Sequence, residues 1–79
     1  MTILFFAQAR EAAGCDRYDL KTERPLAAAE LWAQLIADFP RLALLEKTAR
    51  LARGESYLQD GELLKPSDEV AIIPPVSGG

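Results

Sequence analysis

The sequence predicts a small α+β roll: a mixed sheet with one main helix packed across one face. Two short runs, Ile3-Leu4-Phe5-Phe6-Ala7 near the start and Glu69-Val70-Ala71-Ile72-Ile73 near the end, are apolar almost throughout. Such runs mark strands covered on both sides, which belong in the middle of a sheet. Between them, a single segment carries a long apolar stripe at helical spacing. The length, 79 residues, limits the chain to one domain that buries roughly 60% of its unfolded surface.

Each element has its own local reason. Ile3 to Ala7 is the first strand. Ala9 to Ala13 suit one helical turn, stopped by Gly14, which accepts the left-handed backbone that closes a helix. Cys15 to Lys21 alternates, with Tyr18 and Leu20 on one face and Arg17, Asp19 and Lys21 on the other, the pattern of a half-buried strand. Ala28, Leu31, Trp32, Leu35, Ile36 and Phe39 then recur at intervals of three and four and form the stripe of the main helix, which Pro40 ends. Glu30 suits the acidic half of a capping box, but Ala27 stands where a Ser or Thr acceptor is expected; its loss costs about 1 kcal/mol. Trp32 lies on the stripe and reads as core, not as a ring for stacking a ligand.

Arg41 to Glu46 suits a short second helix carrying Leu42 and Leu45. Ala49 to Arg53 reads as a strand broken by Gly54, and Tyr57-Leu58 as a short extended piece before an Asp60-Gly61 turn. Leu63 and Leu64 fill space beneath that loop, and Pro66-Ser67-Asp68 turns the chain into the last strand. If the first two strands form an antiparallel hairpin and the last lies beside the first, the helix crosses one face of the sheet. That is a β-grasp arrangement over residues 1–75. No second helix of comparable length covers the opposite face, so apolar side chains there stay exposed or meet a partner.

Composition removes several classes of chemistry. There is no histidine and one cysteine, Cys15. A zinc finger, a Cys-His nucleophile pair, a Ser-His-Asp triad and an internal disulfide are therefore excluded, and a reducing cytoplasm suits the chain. Cys15 has no basic neighbour in sequence to activate it and reads as a strand-edge cysteine. Neither a GxGxxG nor a GxxxxGK[ST] phosphate loop is present. The apolar runs are too short to span a bilayer, and Met1-Thr2-Ile3 lacks the basic start of a signal peptide. A net charge of −3 argues against nucleic acid as a partner and admits a partner with a basic surface. Asp60, Glu62, Asp68 and Glu69 lie around turns and read as solvated carboxylates, not as metal ligands.

What points to chemistry is the end of the chain. Directly after the last strand come a Pro74-Pro75 brake and a tail, Val76-Ser77-Gly78-Gly79. Two glycines carry no Cβ, so this backbone fits a narrow channel. Extended, residues 76–79 reach roughly 13–14 Å, far enough to carry a terminal carboxyl into another protein's active site. A glycine-ended tail also occurs as an inert frayed terminus, so the tail alone leaves both readings open.

The context of the tail carries a family resemblance. Leu4-Phe5-Phe6-Ala7-Gln8-Ala9-Arg10-Glu11 resembles the start of the small subunit of molybdopterin synthase, and Asp68 to Gly79, closing on Pro-Pro-Val-Ser-Gly-Gly, is similar to that family's C-terminal signature. Length and element order match as well. Two departures stand out: Ala27 replaces the family's frequent Ser or Thr cap, and Arg53-Gly54-Glu55 stands where an Asn is common. The resemblance implies a ubiquitin-like β-grasp fold and a sulfur carrier in molybdenum cofactor biosynthesis, with no cofactor bound intrinsically.

In such a carrier an ATP-dependent adenylyltransferase of the ubiquitin-activating type, using ATP and Mg²⁺, activates the carboxyl of Gly79, and a sulfur-donating enzyme converts it to a thiocarboxylate. Val76, Ser77 and Gly78 then enter the large subunit of a heterotetrameric synthase, which builds the dithiolene on a cyclic pyranopterin precursor. The resemblance also assigns Phe6, Arg10, Tyr57 and Ile73 to the partner interface, where Arg10 is able to pair with a partner carboxylate. Two other readings stay open. One is a related carrier for thiamine, cysteine or tRNA thiolation, or a protein modifier. The other is an interaction domain with an inert tail. The Phe5-Phe6-Ala7 opening and the Pro74-Pro75-Val76 brake favour the first reading.

Overall fold

In the computed structural model, which describes residues 1–75, the element order is β1 (Thr2–Phe5), α1 (Ala7–Ala13), β2 (Arg17–Asp19), α2 (Ala28–Asp38), a 3₁₀ helix (Pro40–Leu45), β3 (Arg50–Arg53), β4 (Ser56–Tyr57) and β5 (Glu69–Ile73). The strands form one mixed sheet in the order β2-β1-β5-β3-β4. β1 pairs antiparallel with β2 and parallel with β5, and β3 lies antiparallel between β5 and β4. The two apolar runs are thus neighbours in the interior of the sheet, and the roll is a β-grasp.

Alternation along the strands fixes the layers. Ile3 and Phe5 of β1, Val70 and Ile72 of β5 and Leu51 of β3 face the helices and are buried. They meet Leu31, Trp32 and Leu35 of α2, Leu42 of the 3₁₀ helix and Ala9 of α1 in a single core. Phe39 joins the helix layer to the sheet by edge-on contacts, with ring centroids 5.5 Å from Phe5 and 5.0 Å from Tyr18. The Tyr18 hydroxyl donates to Asp38 Oδ2 at 2.6 Å, and this bond to a carboxylate holds the phenol above its ordinary pKa.

At the start of α2 the Ala27 N–H donates to Glu30 Oε1 at 3.0 Å. Alanine offers no acceptor in return, so only the acidic half of a capping box exists. Glu30 also accepts from Arg24 at 2.7 Å. Arg24, with the Ala27 amide second, holds the Glu30 carboxyl below its ordinary range.

Four sequence expectations are corrected. The first strand ends at Phe5, not Ala7, because Ala7 adopts φ +48° and turns the chain into α1. A left-handed backbone at a residue bearing a Cβ costs roughly 1–2 kcal/mol. α1 runs Ala7–Ala13, longer than the single turn expected, and ends at Gly14 with φ +78°. The segment after Pro40 winds as a 3₁₀ helix. Leu63 is exposed and Leu64 fully buried: Leu64 exchanges both backbone hydrogen bonds with Leu26 at 2.8 Å, and alternation turns its neighbour outward.

Candidate functional site

The face of the sheet turned away from the helices is built by the register alone. Leu4 lies opposite Arg17 on one side and Ala71 on the other; Ala71 lies opposite Ala52, and Ala52 opposite Tyr57. One row further along, Ile73 lies opposite Arg50. Among the described residues, no helix packs here. Leu4, Ala71 and Ile73 are half-buried, and Tyr57 is exposed. Ala52 is buried on this side, apart from the helix-side core. An uncovered sheet face of this apolar character calls for a partner surface.

Of the four interface residues expected from the sequence, three carry the face and the fourth adjoins it. Phe6 is corrected in position: it is not in the strand but is the extended residue (φ −120°, ψ 150°) between β1 and α1. Its ring is 49% exposed, whereas Phe5 is 2% exposed; the two adjacent phenylalanines therefore divide between solvent and core. Ile73 and Ile72 divide in the same way, half-buried against fully buried. Arg10 stands on α1, where it lines a surface depression of about 320 Å³ together with Leu4, Phe6, Asp16 and Arg17. Tyr57 sits at the far side of the sheet, three strand spacings (roughly 14 Å) from β1. The Arg50 guanidinium lies over its ring, 3.9 Å from the centroid.

The segment joining β4 to β5 is held by a residue that sequence reasoning passed over. Arg53 donates to Glu62 Oε2 at 2.9 Å, to Asp68 Oδ2 at 3.3 Å and to the Leu63 carbonyl at 2.8 Å. Glu62 and Asp68 are therefore structural acceptors, not the freely solvated carboxylates expected. Asp68 Oδ2 also accepts the Lys65 N–H at 2.7 Å. That amide first, and Arg53 after it, hold the Asp68 carboxyl below its ordinary range. The signal was alternation: Arg53 shares a strand face with buried Leu51, and an arginine on that face needs carboxylates. Cys15 is half-buried and packs against the core. Among the described residues, no three His, Cys, Asp or Glu side chains gather to hold a metal ion, and no helix is long and apolar enough to cross a membrane.

β5 runs from the core directly into Pro74, buried, and Pro75, exposed. Pro74 thus directly follows Ile73 of the uncovered face. The tail expectations for Val76, Ser77, Gly78 and Gly79 lie outside the described residues.

The model of the ThiS family matches residues 3–79. The molybdopterin synthase sulfur carrier subunit of Chlamydomonas reinhardtii is 43% identical over 79 residues, spanning 98% of this chain and 95% of that protein. The Homo sapiens protein of the same name is 31% identical over 80 residues, spanning 98% and 91%. Among solved structures, small archaeal modifier protein 1 of Haloferax volcanii superposes with a TM-score of 0.84 at 24% identity, covering 100% of this chain and 98% of that one. A putative molybdopterin converting factor subunit 1 of Pyrococcus furiosus gives 0.80 at 20% identity, with 95% of each chain covered. At these identities the two structures establish the fold.

Proposed function

This chain belongs to the ThiS family, and on that premise we propose that it is the sulfur carrier subunit of a molybdopterin synthase in molybdenum cofactor biosynthesis. The observation that carries the reading is an uncovered apolar sheet face, bearing Phe6 and Ile73, beside the strand that leads into the Gly-Gly tail. A carrier needs both parts: a face that docks, and a tail that reaches.

The chemistry follows from the carboxyl group. At neutral pH a C-terminal carboxylate is ionised and a poor electrophile. An ATP-dependent adenylyltransferase of the ubiquitin-activating type, using ATP and Mg²⁺, makes it reactive: a carboxylate oxygen of Gly79 attacks the α-phosphorus and pyrophosphate leaves. A persulfide on a sulfur-donating enzyme then attacks the acyl carbon with its outer sulfur and AMP leaves; a second thiol breaks the S–S bond of the acyl disulfide so formed, releasing the thiocarboxylate and leaving the donor as a disulfide. Glycine suits this step because no Cβ obstructs attack. Val76, Ser77 and Gly78 carry the thiocarboxylate into the large subunit of a heterotetrameric synthase, where its sulfur passes to the pyranopterin precursor. The catalytic groups belong to the partners, in the cytoplasm. Production of the full chain beside its activating enzyme and a sulfur source tests this: the intact mass should rise by the exchange of one oxygen for one sulfur at Gly79. An unchanged mass in a preparation whose adenylyltransferase is active on a known carrier would defeat the reading.

The docking half has its own test. Phe6→Ala should weaken the complex with the large subunit by about 2 kcal/mol or more, as loss of a central aromatic anchor does, and destabilise the isolated domain far less than Phe5→Ala. Titration against the large subunit, run beside denaturation of both variants, reads both effects. Binding lost by Phe5→Ala with stability spared would invert the assignment.

A further inference from the structure

The uncovered face is polarised along its strands. At the end nearest the tail stand three arginines: Arg50 opposite Ile73, Arg17 opposite Leu4, and Arg10 beside Phe6. At the other end Glu69 and Asp19, the latter paired with Lys21 at 3.4 Å, flank Thr2 from either side. Among the described residues, Lys21, Arg24 and Arg53 have ion-pair partners, but Arg10, Arg17 and Arg50 have none. Asp16 is the one carboxylate lining the depression that Arg10 and Arg17 share. Arg50 is held across Tyr57, which restricts the side chain before any partner arrives. A net charge of −3 makes this cationic end a local reversal of the molecule's overall bias.

We infer that Arg10, Arg17 and Arg50 form a cationic rim around the Phe6–Ile73 patch, and that the partner surface seated there is acidic, with carboxylates encircling an apolar socket. The inference rests on the sulfur-carrier reading for the identity of the partner, the synthase large subunit. It replaces the basic partner surface that net charge alone admitted. The physical reason is range. At physiological salt the Debye length is about 8 Å, so a docking surface responds to charges beside it and hardly at all to the rest of the molecule. Planar guanidinium groups suit paired hydrogen bonds to carboxylates. The cations gathered at the tail end, with Glu69 and the Lys21-paired Asp19 at the far end, also favour one docking orientation over its reverse, so the encounter aligns the tail with its channel.

The test is a calorimetric titration of the full chain with the molybdopterin synthase large subunit of the same organism, at roughly 50 and 300 mM salt. Wild-type affinity should fall as salt rises. The paired reversal Arg17→Glu with Arg50→Glu should weaken binding at low salt by about tenfold or more and flatten its salt dependence. The pair Arg41→Glu with Lys47→Glu makes the same charge change in the helix layer and should stay within about twofold of wild type. Circular dichroism and thermal melts confirm folding; the neutral pair Arg17→Gln with Arg50→Gln, expected to weaken binding to an intermediate degree, stands in if the reversal does not fold. Wild-type affinity and salt dependence in the reversed or neutral pair would overturn the inference and leave the sulfur-carrier reading standing. Tighter binding by the reversed pair would show a basic partner surface and overturn it as well. No binding by the wild-type chain at either salt concentration would remove the sulfur-carrier reading, and the inference with it.

Discussion

Deleting Gly79, or leaving one uncleaved residue after it, should abolish sulfur transfer and leave the fold intact. The reactive atom in the proposed chemistry is the terminal carboxyl carbon, and its position is set by chain length. One residue fewer puts Gly78 at the end and draws the carboxyl back by roughly 3.5 Å. Reactive geometry tolerates much less, since a displacement of about 1 Å can cost a hundredfold in rate. One residue more converts the carboxylate into a peptide carbonyl that cannot attack ATP. Stability should not respond, because among the described residues the hydrophobic core cluster runs from Met1 to Ile72. Intact mass after incubation with adenylyltransferase, ATP and sulfur donor reads loading, turnover with the large subunit reads transfer, and a thermal melt reads the fold. Full transfer by a chain extended with one uncleaved residue would sink the proposal.

Trp32→Ala should destabilise the domain by about 3–5 kcal/mol, the usual cost of truncating a large core aromatic. Trp32 is 6% exposed and lies on the core face of α2 beside Leu31 and Leu35. It also borders an open groove with Ala28, Leu51 and Leu58. Water can enter the widened groove, so the cost belongs near the lower end of the range, about 3 kcal/mol. A chain of 79 residues has roughly 4–12 kcal/mol of stability in total, so the variant sits near the edge of folding. Denaturant unfolding followed by circular dichroism measures this, since the substitution removes the only tryptophan. A cost below about 1 kcal/mol would mean that the ring contributes little to the core, against the burial seen here.

Much of the architecture was legible because local patterns and tertiary demands agree. The 3.6-residue stripe from Ala28 to Phe39 has one use in a chain this short, and α2 buries it. Glycine at positions 14, 54 and 61 adopts positive φ where turns were expected. The Phe5/Phe6 and Ile72/Ile73 divisions were implicit too, since adjacent residues at a strand end face opposite ways. The Gly-Gly tail and the Pro74-Pro75 brake are covalent facts of the chain, and the proposed chemistry rests on them.

Other features exist only once the chain is folded. The end of β1 depends on Ala7 taking a left-handed backbone, which no propensity for alanine announces. Arg53 gathers Glu62 and Asp68 because β3 passes beneath the segment that returns to β5; nine and fifteen residues apart in sequence, these groups show no local period. Arg50 of β3 stands far along the chain from Arg10 of α1 and Arg17 of β2, and composition, which sums charge over the whole molecule, shows no such grouping. By itself, then, the sequence determined the elements, the core stripe and the reactive tail, because each depends on neighbours within a few residues. Tertiary structure alone decided which charges stand together and around which end of the uncovered face, because Coulombic and packing energies depend on distance in space, and the sheet register sets those distances.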